Sequence, residues 1–62
     1  MKSKWIVKED VLSVADSLKM DINEEIIDMA LDAYDDYREQ YPNDNWWQII
    51  ETMLYDYFNN LD

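Results

Sequence analysis

The chain has no cysteine, no histidine, no glycine and only one proline in 62 residues. Without cysteine there is no disulfide framework and no thiolate zinc site. Without histidine the usual general base and the commonest transition-metal ligand are both missing. The absence of glycine, with Pro42 the sole proline, leaves few positions that break a helix. Long apolar runs are also lacking, and none approaches the ~18 residues that a membrane span requires. The start, Met1-Lys2-Ser3-Lys4, is basic like the head of a signal peptide, but charge returns at Lys8 after Trp5, Ile6 and Val7, so no apolar region follows. The expected location is the cytoplasm, with no membrane contact.

Positive charge is scarce as well. Five Lys and Arg face fifteen Asp and Glu, a net charge of −10. Residues 1–19 hold four lysines and three acids, net +1, whereas residues 20–62 hold twelve acids and only Arg38, net −11. Such a field repels nucleic acid and anionic lipid and attracts basic partners. Direct nucleic-acid binding is therefore not expected.

What is present is core material. Apolar residues make up 48% of the chain, including three Trp, five Tyr and one Phe, too many for a disordered tail. The length suits one domain, of a size that buries only about 60% of its unfolded surface.

Apolar residues recur at helical spacing, and the fold class expected is all-α, a compact three-helix bundle with a short extended N-terminal arm. The helices are predicted over about 8–19, 24–41 and 46–60. In the first, Val7, Val11, Val14, Ala15 and Leu18 share a face, and the start lacks a good N-cap. Trp5, Ile6 and Val7 form the arm, expected to pack back on the core. The second helix starts at the N-cap Asn23, with Ile22 able to staple to Ile27 and with Glu24 and Glu25 favoured by the helix dipole. Its apolar side is Ile26, Met29, Ala30, Ala33, Tyr34, Tyr37 and Tyr41, widened by Ile27 and Leu31. It stops at Tyr41 because Pro42 disfavours the α region before it. Asn45 and Gln48 form a capping box for the third helix. There Trp46, Trp47, Ile50, Met53, Leu54, Tyr57, Phe58 and Leu61 face inward. Trp46, Ile50, Leu54, Leu31, Tyr34 and Val11 are expected to be protected from solvent.

The run Asp21-x-Asn23-Glu24-Glu25-Ile26, then Tyr34, then Trp46 and Glu51-x-Met53-Leu54-Tyr55, resembles small acidic helical proteins encoded by bacteriophages and bacterial mobile elements, over roughly residues 7–58. Those proteins often end the first helix in Leu-Gly-Ile. Here Lys19-Met20-Asp21 stands in that place, so a strained turn is expected. The resemblance implies the three-helix architecture, a phage or mobile-element origin and hence a host cytoplasm. It implies no activity.

The chemistry available is carboxylates, tyrosines and a few lysines. Glycosidase-type work needs two carboxylates across a cleft, and a chain this small has little room for one, so no catalysis is expected. The run Asp32-x-x-Asp35-Asp36-x-x-Glu39 offers oxygens for a hard cation. A single helix face cannot wrap an ion, however, and the glycine of an EF-hand loop is missing, so no metal site or other cofactor is expected.

The acidic stripe is the sharpest candidate. Glu24, Asp28, Asp32, Asp35 and Glu39, joined by Asp36, repeat every three or four residues along about 25 Å of helix. That pitch roughly imitates a phosphate backbone. Most charge runs are simply solvated faces, but ordinary surfaces mix signs, and unmixed acids repel one another along a helix. Tyr55, on the polar side of the last helix beside Glu51, Asp56 and Asn59, is a further binding candidate. Two readings stand. In one, the chain binds and blocks a basic protein, a nucleic-acid-binding one if the stripe acts as a mimic. In the other it self-associates, as a homodimer or larger assembly, and its charge only maintains solubility.

Overall fold

The structure is a computed structural model that describes residues 3–59. Three helices follow one another: α1 (Lys8–Ser17), α2 (Glu24–Gln40) and α3 (Trp46–Asn59), with no strand among the described residues. The chain is an all-α three-helix bundle. Residue 60, where the last helix was expected to end, and Leu61 lie outside the described residues.

Each helix boundary has a local cause. Val7 is the N-cap of α1 and offers no side-chain oxygen, so only half a box forms, with Asp10 Oδ2 accepting the Val7 N–H at 3.0 Å. The first helix stops at Ser17, two residues short of the expected end, in a Schellman turn. There Met20 N–H donates to the Ala15 carbonyl (2.9 Å) and Lys19 N–H to that of Asp16 (3.1 Å). The turn puts Lys19 at φ 57°, the left-handed region where a Cβ costs about 1–2 kcal/mol. The expected strain is thus present, at one residue.

Asn23 caps α2, its Oδ1 accepting from Ile26 N–H at 2.9 Å. Tyr41, before Pro42, leaves the helix at φ −125°, ψ 63°. The capping box of α3 is complete: Gln48 N–H donates to Asn45 Oδ1 (2.9 Å) and Asn45 N–H to Gln48 Oε1 (3.2 Å).

The core is Ile6, then Val11, Val14 and Ala15 of α1, Ile27, Ala30, Leu31 and Tyr34 of α2, and Ile49, Ile50, Met53 and Leu54 of α3. Among the described residues every buried side chain is apolar or, in Tyr34, aromatic. The most extensive pairing is α2 with α3. The Cα radius of gyration is 10.5 Å, the value of about 10–11 Å that a packed chain of this length should have.

Several inward placements need correction. Of the arm, only Ile6 enters the core, while Trp5 (62% exposed) and Val7 (57%) stay in solvent. Val7 has extended backbone as the N-cap, so it does not follow the face of α1. Met29 is exposed because the buried arc of α2 centres between Ile27 and Tyr34, about 150° away at 100° per residue. Tyr41 is exposed beyond the end of the helix. Trp46 is 42% exposed because side chains of a first turn lean toward the N-terminus, off the end of the packed region. Its ring instead meets Trp47 edge-on, with centroids 5.4 Å apart. Ile49, which the apolar pattern had passed over, is buried in full contact with the core.

Candidate interaction face

Because Ile27, Ala30, Leu31 and Tyr34 turn one side of α2 inward, the opposite side faces solvent. Glu24, Asp28, Asp32, Asp35, Asp36 and Glu39 all lie exposed there, with Glu25 among them. At 100° per residue they fill an arc of about 120° with no cation inside it. The six carboxylates expected on one face are brought together on one face.

Tyr55 is not part of it. Asp56, the next residue, faces α2, since its Oδ2 accepts from the Tyr37 hydroxyl at 2.8 Å. Tyr55 is rotated about 100° from that direction and is exposed on the outer side of α3. Any ligand covering the stripe would reach Tyr55 only around the edge of the bundle.

The two edges of the stripe differ. One is bordered by the N-terminal arm and α1. Lys8 Nζ pairs with Glu24 Oε1, and this bond and the charge of Glu24 raise the Lys8 pKa, with smaller contributions from Asp28 and Glu9. Ser3 Oγ donates to Asp35 Oδ1 at 2.8 Å, and Ser3 N–H to the Leu31 carbonyl at 2.8 Å. The Arg38 guanidinium lies 3.9 Å from the centre of the Trp5 ring. The other edge is bordered by α3. Here Tyr57 Oη donates to the Met29 carbonyl at 3.1 Å, beside the exposed Met29 side chain. Burial, then the charges of Asp32 and Asp56, raise the Tyr57 pKa. Tyr37, below that edge, is pushed up to about 12 by burial and by its hydrogen bond to Asp56.

Asp28 and Asp32 are also partnered. The carboxylates of Asp36 and Glu39 make no hydrogen bond or ion pair with another described residue, and Glu39 borders a shallow depression of about 260 Å³ with Arg38 and Pro42. Among the described residues no three carboxylates converge closely enough to hold a metal ion. None of their helices is long and apolar enough to cross a membrane.

The sequence pattern located the acidic arc but not what borders it. Lys8–Glu24, Ser3–Asp35 and Trp5–Arg38 link residues 16, 32 and 33 positions apart, and no local spacing encodes such pairs. One signal was present: four of the five cations fall in residues 1–19, opposite the acidic remainder. No family model matches the chain, and neither the curated proteins nor the solved structures contain a match to it.

Proposed function

We propose that this chain is a small acidic binding module that engages a basic protein through the α2 face formed by Glu24, Asp28, Asp32, Asp35, Asp36 and Glu39. The supporting observation is the unmixed sign of that arc, a row of like charges that costs helix stability and yet is left without an interspersed lysine. Along about 25 Å of helix the row has the length and charge to lie in a groove that otherwise takes a nucleic-acid backbone. In this reading the module blocks or modulates that groove, without catalysis of its own. A phage or mobile-element origin, and so a host cytoplasm, belongs to the same proposal and is supported by the resemblance carried by Asp21–Ile26, Trp46 and Glu51–Tyr55.

The experiment is capture of basic proteins from a bacterial lysate on the immobilised chain, at low and at high NaCl. Retention that disappears at high salt, and that added duplex DNA competes away, is the expected result. A partner held equally well by the chain carrying Asp28→Asn, Asp32→Asn, Asp35→Asn and Glu39→Gln would overturn the reading. A second reading, self-association, is favoured by a separate observation: Tyr41, Trp46 and Tyr55 are exposed aromatic side chains outside the acidic face.

A further inference from the structure

The described part of the N-terminal arm, Ser3 to Val7, is not helical, and its contacts change character at Ile6. Ile6 is buried in the core. Ser3 and Trp5, before it, are held by polar and half-solvated contacts along one edge of α2. Ser3 N–H donates to the Leu31 carbonyl, which lies in the interior of α2 and so is an acceptor of the helix itself. Ser3 Oγ donates to Asp35, and Trp5 N–H returns to Ser3 Oγ at 3.0 Å, closing a tight turn. The Trp5 ring then covers Arg38 while remaining largely in solvent.

We propose that Ser3–Trp5 is a strap closed over the Asp35–Arg38 edge of the carboxylate face, and that a lysine-rich ligand displaces it, with Ile6 as the fixed hinge. The inference rests on the binding reading given above. Three features support it. Opening between Trp5 and Ile6 leaves Ile6 in the core, and the Trp5 ring that it releases is already 62% exposed. The strap satisfies Asp35 with a neutral hydroxyl, and an ammonium donor from a ligand makes a stronger, charge-assisted bond to the same oxygen. The strap also carries Lys4, exposed and next in sequence to Ser3, so its departure takes a positive charge away from the edge that Ser3 holds and that a basic ligand approaches. The closed strap is therefore an autoinhibitory contact, and it lowers apparent affinity in proportion to its closed population.

The test is a two-dimensional NMR titration of the full chain with a deca-lysine peptide. In the free protein the ring current of Trp5 should hold the Arg38 side-chain protons upfield. Added peptide is expected to return them to ordinary positions, with the same midpoint as the amide shifts of Asp28, Asp32 and Asp35. The double variant Ser3→Ala, Trp5→Ala should bind deca-lysine about three- to tenfold more tightly, as expected when a mostly closed competitor is removed. Should the double variant unfold, Ser3→Ala alone should give a smaller gain in the same direction. Peptide binding that leaves Arg38 upfield, or unchanged affinity in the variants, would overturn the strap and leave the acidic face standing. Absence of an upfield shift in the free protein would also overturn the strap. No binding to wild type or variants would overturn both readings.

Discussion

The Tyr37 hydroxyl donates to Asp56 Oδ2 at 2.8 Å, tying α2 to α3 on the side of α2 away from its acidic arc. The bond requires a protonated phenol, and burial together with the carboxylate raises the Tyr37 pKa from 10.0 to about 12. The folded state therefore holds its proton more tightly than the unfolded chain does. That contribution is fully present below pH 10 and is lost as pH rises from 10 toward about 12. Thermal melts over this window should show a falling Tm. Tyr37→Phe should cost about 1 kcal/mol at neutral pH and flatten the alkaline fall. An identical alkaline slope in the variant would show that other tyrosines carry it, Tyr34 and Tyr57 being the candidates because burial raises both.

Lys19 is the one non-glycine residue with positive φ among those described. It occupies the position after the α1 C-cap, where a Schellman turn favours glycine. Lys19→Gly should raise stability by about 1 kcal/mol, or about 4–8 °C in Tm for a domain of this size. Lys19→Val should lower it, since a β-branched side chain tolerates that backbone least. A glycine variant no more stable than wild type would mean that the turn carries no strain.

These two sites differ in how far the sequence disclosed them. The Asn23 cap and the Asn45–Gln48 box join residues three positions apart, so local patterns foretold them. The strained turn at Lys19 was expected from the resemblance alone, and its helix ends two residues earlier than predicted. The buried stripes of α1 and α2 followed from the helical period, because Val11 and Val14, and Ile27 and Tyr34, repeat at the spacing of one face. A helical wheel has no ends, however. It put Val7 and Trp46 inward although each sits at a helix start, and it could not tell that Ile49 faces a neighbouring helix. The carboxylate arc was legible because α2 alone forms it. Its borders were not, since Ser3, Trp5 and Lys8 reach α2 only after the chain has turned back on itself.

Salt should stabilise the fold. Helix α2 carries seven acids and one arginine, and repulsion among exposed carboxylates is greatest when unscreened. Tm should rise from low to moderate NaCl. The Lys8–Glu24 pair offsets part of this repulsion at the first turn, so Lys8→Gln should steepen the rise. Asp36→Lys should raise Tm at low salt by about 2–4 °C, because a cation there is spaced for Asp32 and Glu39. A Tm independent of salt in the wild type would mean that the arm and α1 already balance the acidic face.

The last prediction separates binding from self-association, and the placement of Tyr55 makes the separation clean. The acidic arc and Tyr55 lie on different sides of the bundle, so each can be changed without touching the other. Replacing Asp28, Asp32 and Asp35 by Asn and Glu39 by Gln removes four charges while nearly conserving side-chain size. All four residues are exposed, so the variant should retain its helical circular dichroism. If the arc is the binding face, this variant loses its basic partner, and wild-type affinity falls steeply with salt because exposed ion pairs are screened. Its sedimentation behaviour should match wild type. If association between copies is the function, the four-amide chain keeps or increases its oligomeric state, because repulsion between acidic surfaces is reduced. In that case Tyr55→Ala or Trp46→Ala abolishes the oligomer, since large exposed aromatic residues supply the apolar anchors of such contacts. Sedimentation equilibrium on these four chains, wild type included, alongside salt-dependent partner binding, distinguishes the cases. Full partner binding by the four-amide chain, together with its loss in Tyr55→Ala, would transfer the function from α2 to α3.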